Sequence, residues 1–316
     1  MRKIEQTGFR RADGIVVLLL ATIVTLGSSS PAYRGRPGAA YFPNVPLTTH
    51  EGEQVRFYDD LVKDKVVAIN FIYTSCPDSC PAETAKLRQV YQILGDRVGR
   101  DIFMYSISID PEHDTPEVLK TFASKFRIGP GWTFLTGKEA DITLLRRKLG
   151  LYMEEIQDGS GDHNLSLIVG NERTGKWITR SPFDDPRSLA TLIGHDLFDG
   201  VTPRKNIRSY AEVPDAPKFS RGEYLYRTRC SSCHTIGGGD SLGPDLLGVT
   251  EQRERTWLMR WLKEPDKMLA EGDPIASELF VRYNELAMPN LRLDDSDAAA
   301  LIAYMAAQSR RVGQAD

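Results

Sequence analysis

The sequence predicts a two-part chain, an α/β domain over residues 41–199 followed by an all-α domain over 218–316. Three observations carry this. In the first half, β-branched apolar runs at Val66–Tyr73 (VVAINFIY) and Ile102–Ile109 (IFMYSISI) alternate with segments of helical period. In the second half, helical periods follow one another with no convincing strand between them. Residues 200–217, with three prolines in VTPRKNIRSYAEVPDAP and mixed charges, separate the halves as a linker. A chain of 316 residues is also long for one core and ordinary for two.

The elements follow in order. Residues 1–32 read as a signal peptide or an N-terminal anchor: Arg2, Lys3, Arg10 and Arg11 precede an apolar run from Ile15 to Leu26, and Gly27, Ser28, Ser29 and Ser30 follow it. The run is shorter than the roughly 18 to 20 residues a bilayer span needs, which favours cleavage. The Gly, Pro and Arg-rich stretch Ala32–Ala40 reads as a tether. Val66–Tyr73 is apolar on both faces, the pattern of a central strand. Beyond Pro81, the residues Leu87, Val90, Tyr91 and Leu94 recur at helical spacing. Helices are expected at Pro116–Phe126 and Ile142–Leu149. A hairpin joins Leu165–Val169 to Lys176–Thr179 through Asn171–Gly175, and Pro186–Leu197 closes the domain as a helix. This order fits a thioredoxin-like sheet with helices on both faces. The second half is expected to be helical at Ser220–Arg229, Arg255–Lys263, Ala276–Tyr283 and Asp295–Arg310.

Composition excludes some classes. A net charge of -3 with basic and acidic residues interspersed offers no basic face for phosphates, so nucleic acid is not an expected partner. Four cysteines in two local pairs, Cys76 with Cys80 and Cys230 with Cys233, cannot staple long loops. They mark two places where thiols do chemistry.

Cys230, Ser231, Ser232, Cys233, His234 is a haem c attachment motif, with two thiols for the two vinyl groups and an adjacent imidazole for the iron. A zinc site would need about two more Cys or His ligands, and none follows His234. A thioether is the usual sixth ligand in electron-transfer cytochromes c, leaving Met259, Met268, Met288 and Met305 as candidates. Met259 and Met305 sit within helical stripes, where methionine fills cores. Met288, in the irregular segment Ala287, Met288, Pro289, Asn290, is the expected iron ligand. Residues Phe219 to Ser309 resemble the class I monohaem cytochromes c in this motif, in Gly243, Pro244, Asp245, Leu246, and in the methionine loop. The resemblance implies a terminal helix, with Ala298, Leu301, Ile302 and Met305, crossing the first one.

Cys76, Pro77, Asp78, Ser79, Cys80, Pro81 puts two thiols one turn apart at a helix start, where unpaired N–H groups favour thiolate. Thiolates bind soft metals and also attack disulfides, so both chemistries stay open. A third ligand would separate them. His163, after a glycine-rich loop and before a strand, is one candidate; His50, His113 and His195 compete with it, and His50 and His195 are expected at the surface.

The stretches Tyr41–Val45, Val55–Leu61, Asn70–Pro81 (NFIYTSCPDSCP), Asp110–Thr115, Gly131–Gly137 and Asp162, His163 closely resemble the SCO/SenC family of thioredoxin-like copper proteins. The turn Asn171–Gly175 departs from that family's Asp-x-x-Gly. The resemblance implies that Cys76, Cys80 and His163 bind one copper ion and help build the dinuclear copper centre of cytochrome c oxidase. Its copper-centre subunit is then the expected partner, with other redox proteins of the exported compartment as further ones.

Three functions compete: a copper metallochaperone with a built-in electron carrier, a thiol-disulfide oxidoreductase using Cys76 and Cys80, and a haem-fed peroxiredoxin-like enzyme. The last lacks the activated-cysteine context in TSCPDSCP. A haem and a copper ion each exchange one electron whereas a dithiol exchanges two. A His/Met haem is also high in potential, and each 30 mV uphill costs about 1.4 kcal/mol in a two-electron couple. Copper delivery is therefore expected, in the periplasm or facing it from the inner membrane, with membrane association only if the leader stays uncleaved.

Overall fold

The computed structural model describes residues 38, 40–76, 79–152, 165–197 and 218–314. The expected leader and linker, His163, and all of the expected tether but residues 38 and 40 lie outside them. Among the described residues no helix is long and apolar enough to cross a membrane.

Seven strands form one sheet: β1 (Pro46–Thr49), β2 (Gln54–Arg56), β3 (Val66–Ile72), β4 (Ile102–Ser108), β5 (Trp132–Thr136), β6 (Leu167–Asn171) and β7 (Lys176–Arg180), in the order β2-β1-β5-β4-β3-β6-β7. β3, β4 and β5 run parallel, while β6 pairs antiparallel with β3 and then with β7. The apolar run of β3 is explained by its place between β4 and β6, where all seven of its residues are buried. Its side chains alternate between two cores: Val66, Ala68 and Ile72 join one, Val67, Ile69 and Phe71 the other. The first core is covered by α1 (Ser79–Leu94), α2 (Pro116–Lys125) and α4 (Pro186–Thr191), the second by α3 (Glu139–Lys148) and β1. This is a thioredoxin-like layer arrangement, helices on both faces of a mixed sheet.

Local chemistry sets the helix starts. Thr115 accepts from the Val118 amide ahead of Pro116 in α2, and Asp185 accepts from Ser188 ahead of Pro186 in α4. The closing helix expected at Pro186–Leu197 is α-helical only to Thr191 and widens into a π turn over Leu192–Asp196. The sheet also has an antiparallel ribbon, β1 and β2, that sequence patterning did not suggest, because strands of four and three residues are too short to show a period.

The C-terminal part is helical: α5 (Arg221–Leu225), α6 (Val249–Gln252), α7 (Arg255–Lys263), α8 (Pro265–Ala270), α9 (Pro274–Arg282) and α10 (Asp295–Val312). The helix expected at Ser220–Arg229 is α only to Leu225, then π over Tyr226–Cys230. α5 crosses α10 closely at Gly222, where a Cβ would lie 2.2 Å from the Ala300 carbonyl oxygen; only glycine fits. Leu225, Leu258, Leu262, Ala298, Leu301, Ile302 and Met305 make the core of this half.

Candidate functional site

The first cysteine pair lies where the reading of the sequence put it, between the end of β3 and the first turn of α1. Cys80 is fully buried and Cys76 nearly so. The Cys80 amide donates to Cys76 Sγ at 3.4 Å, and Ser79 Oγ lies 3.6 Å from the same sulfur. The expectation that the helix start favours thiolate fails for Cys80. The neighbouring Cys76 sulfur and burial drive its thiol far above the ordinary range, outweighing the backbone donors of an N-terminal turn. Two sulfurs held together in a dry pocket favour a shared proton or a soft cation that replaces it.

Two buried polar assemblies hold this loop. Asp114, fully buried, accepts from the Thr74 amide (3.1 Å), the Thr74 hydroxyl and Ser108 Oγ (2.5 Å), and its Oδ1 lies 3.2 Å from His113 Nδ1. It thus clamps the loop between Tyr73 and Cys76 to the end of β4. Asp114→Asn turns an amide NH2 toward these donors, and a loss of roughly 2–3 kcal/mol is expected in denaturant unfolding, the cost of unsatisfied buried polar groups. Unchanged unfolding would remove Asp114 from the loop's support.

The second assembly runs under α1. Trp132 Nε1 donates to Ser106 Oγ (2.9 Å), Ser106 Oγ to Asn70 Oδ1 (2.7 Å), and Asn70 Nδ2 to Glu83 Oε1 (2.7 Å). All four side chains are buried. Glu83 lies one turn beyond Cys80, and burial pushes its carboxyl up to about 8 against the lowering effect of the Asn70 bond. Glu83 and Asp114 were not singled out from sequence. A carboxylate on the α1 face that carries Leu87, Val90 and Leu94 was the available signal for Glu83.

Among the candidate histidines, His113 is tied to the site through Asp114, with its side chain 56% exposed. His50 is not the surface residue expected: its Nδ1 accepts from the Phe134 amide (3.2 Å) where β1 meets β5. His195 falls in the π turn after α4. Among the described residues no group of three His, Cys, Asp or Glu could hold a metal ion.

The second pair has surroundings that fit a haem. Cys230 ends the π turn, and the His234 amide donates to its carbonyl (3.0 Å), curling the motif so that Cys230, Cys233 and His234 line one apolar cavity. His234 Nδ1 is 2.9 Å from the Pro244 carbonyl, an acceptor that fixes the tautomer and leaves the Nε2 lone pair available to a metal. Gly243 lies under the ring: a Cβ there would be 2.5 Å from His234 Cε1. Burial lowers the His234 pKa, favouring the neutral imidazole that binds iron. Burial also pushes the Cys233 thiol up to about 11 and the Cys230 thiol up to about 12. Stacked Trp257 and Trp261, 5.3 Å between centroids, line the same cavity. Met288 and Met305 line it too, whereas Met259 and Met268 do not. Met305 belongs to the α10 core, leaving Met288 on its loop as the candidate sulfur.

The two sites meet along α1. Lys86 Nζ donates to the Arg227 carbonyl (3.3 Å) and Gln89 Nε2 to the Ser231 carbonyl (3.0 Å), both in the haem-attachment segment. Leu242, Cys233 and Leu286 pack against the core that contains Cys76 and Cys80. Lys125 Nζ on α2 donates to the Glu285 carbonyl (3.2 Å).

A thioredoxin-like unit with a paired-sulfur loop, joined to a helical unit with a Cys-x-x-Cys-His cavity, defines a redox and metal-handling class. Residues 36–185 match the SCO1/SenC family model, and residues 219–309 the Cytochrome c model. A putative copper-binding protein of Stutzerimonas stutzeri is 30% identical over 181 residues, 54% of this chain and 88% of that protein. An SCO2-like protein of Rickettsia prowazekii is 33% identical over 111 residues, 35% of this chain; the match spans about half of that relative, 53%. A solved cytochrome c domain from Pseudomonas putida is 57% identical, covering 29% of this chain and 91% of that one, with a TM-score of 0.28. The chain belongs to the SCO1/SenC family and carries a cytochrome c domain fused to it.

Proposed function

We propose that this protein is an exported copper-handling protein that takes copper as cargo at Cys76, Cys80 and His163 and assists assembly of the dinuclear copper centre of cytochrome c oxidase. The C-terminal part carries haem c on Cys230 and Cys233, with His234 and Met288 as axial ligands. When bound, the haem supplies a one-electron couple matched to copper.

The observation that supports this reading most is the sharing of α1. Its first turn carries Cys80, while Lys86 and Gln89, six and nine residues further on, hold the haem-attachment segment. At 1.5 Å per residue Lys86 and Gln89 lie about 9 to 14 Å from Cys80 along the helix axis. The chain's own residues then do three things. Asp114 and the Cys80 amide orient the sulfur loop, burial keeps water from it, and His234, held by Pro244, presents a neutral nitrogen.

A second reading, thiol-disulfide exchange, is favoured by the asymmetry of the pair. The Cys80 amide and Ser79 hydroxyl both approach Cys76 Sγ, which marks Cys76 as the attacking sulfur and Cys80 as the resolving one.

Copper titration of the intact protein under reducing and oxidising conditions separates the two. The wild type is expected to bind one ion. Cys76→Ser or Cys80→Ser should abolish binding in both states, and His163→Ala should weaken Cu(II) more than Cu(I), which tolerates two thiolates. Stoichiometric copper on the double cysteine variant, or none on the wild type with reduced thiols, would overturn the copper reading. Exchange activity indifferent to His163→Ala, without copper binding, would establish the other.

A further inference from the structure

Helix α1 belongs to the sulfur-loop half, yet one of its cations, Lys86, bonds the haem-attachment segment of the other, and a second, Arg88, acts on Cys233 through its charge. Lys86 is only 5% exposed, and its ammonium bonds the Arg227 carbonyl. Its charge acts on both Cys230 and Cys233. Arg88 is partly buried, and its Nε is buried with no hydrogen-bond partner among the described residues. Its charge also reaches Cys233. Asp185 partly offsets the charge of Lys86, while Arg127 adds to that of Arg88.

Burying a lysine needs a reason. Desolvation disfavours its charged form, offset by the Arg227 carbonyl and the charge of Asp185. A hydrogen bond meant only to dock two surfaces is made without charge by Gln89, one turn away.

We propose that Lys86 and Arg88 are positioning residues that set the reduction potential of the haem held on Cys230 and Cys233, so that the copper-handling half tunes the electron carrier fused to it. This rests on the haem-attachment reading above. Ferric haem carries one more positive charge than ferrous haem. A fixed cation in a low-dielectric contact therefore disfavours the oxidised form and raises the potential. Reduction adds one electron to the iron, and neither side chain transfers a proton or forms a bond. The haem is thereby a weaker reductant and a better electron acceptor when α1 is docked on it.

The test is a redox titration of the full-length chain, followed by the haem absorption band. Lys86→Met and Arg88→Met, which keep much of the side-chain length and remove the charge, should each shift the midpoint to lower potential, and the double variant further. Lys86→Arg should restore the wild-type value. Gln89→Ala, which removes a docking bond without altering charge, should leave it unmoved. A midpoint unchanged in both methionine variants, or a fall in Gln89→Ala equal to that in Lys86→Met, would overturn the assignment while leaving the haem reading intact. A wild-type chain without covalent haem would overturn both.

Discussion

Glu83→Gln is expected to flatten the pH dependence of stability of the copper-free, thiol-reduced protein between about pH 4.5 and pH 8. The carboxyl lies at about 8 in the folded chain, against an ordinary 4.5, with burial the principal cause. A folded pKa raised above the unfolded one means that the folded state holds its proton more tightly. That contribution is complete below about pH 4.5, declines as pH rises and the unfolded chain ionises, and is exhausted above about pH 8. The slope is about 1.4 kcal/mol per pH unit, so the span is on the order of several kcal/mol. Glutamine keeps an oxygen for the Asn70 amide and carries no proton to lose. Wild type and variant should then be of similar stability near pH 4.5, with the variant increasingly favoured toward pH 8. Denaturant unfolding at a series of pH values checks this, and parallel curves for the two proteins would show that Glu83 does not hold its proton in the folded state.

The same buried chain shows why parts of the site escape a reading of sequence. β3 and β4 were legible because each is a short, mostly apolar run rich in β-branched and aromatic residues, and the hairpin of β6 and β7 because a turn separates two short runs. The attachment motif was legible because Cys230, Cys233 and His234 act from adjacent positions. By contrast, Asn70, Glu83, Ser106 and Trp132 come from four separate elements, and nothing local marks any of them as part of a line of hydrogen bonds. Asp114 stood in a recognisable stretch, but its role as acceptor for Thr74 depends on β3 and β4 lying side by side. The thiolate expectation for Cys80 failed for a related reason. Position at a helix start is visible in sequence, whereas complete burial beside a second sulfur is a property of the packed molecule. Short elements such as β5 and α8 carry too few residues for a period and are placed by tertiary contacts.

Gly243→Ala should separate attachment of haem from its ligation. The new methyl would stand 2.5 Å from His234 Cε1 and 2.9 Å from Nδ1, closer than any van der Waals contact. The backbone beneath cannot easily withdraw, since the Gly243 amide donates to the Cys233 carbonyl and the next carbonyl, of Pro244, fixes the ring. The imidazole must therefore swing away, giving up the Nδ1 bond that sets its tautomer. Overpacking and the lost bond together should cost roughly 2–4 kcal/mol in thermal or denaturant unfolding. Cys230 and Cys233 keep their places on the π turn and the loop after it, so covalent haem is expected to persist on denaturing gels. The optical spectrum of the folded variant should instead lose the signature of a histidine-ligated, low-spin iron. Gly243→Ala with both covalent haem and an unaltered spectrum would mean that the close approach of Gly243 to the imidazole is not what holds the ligand.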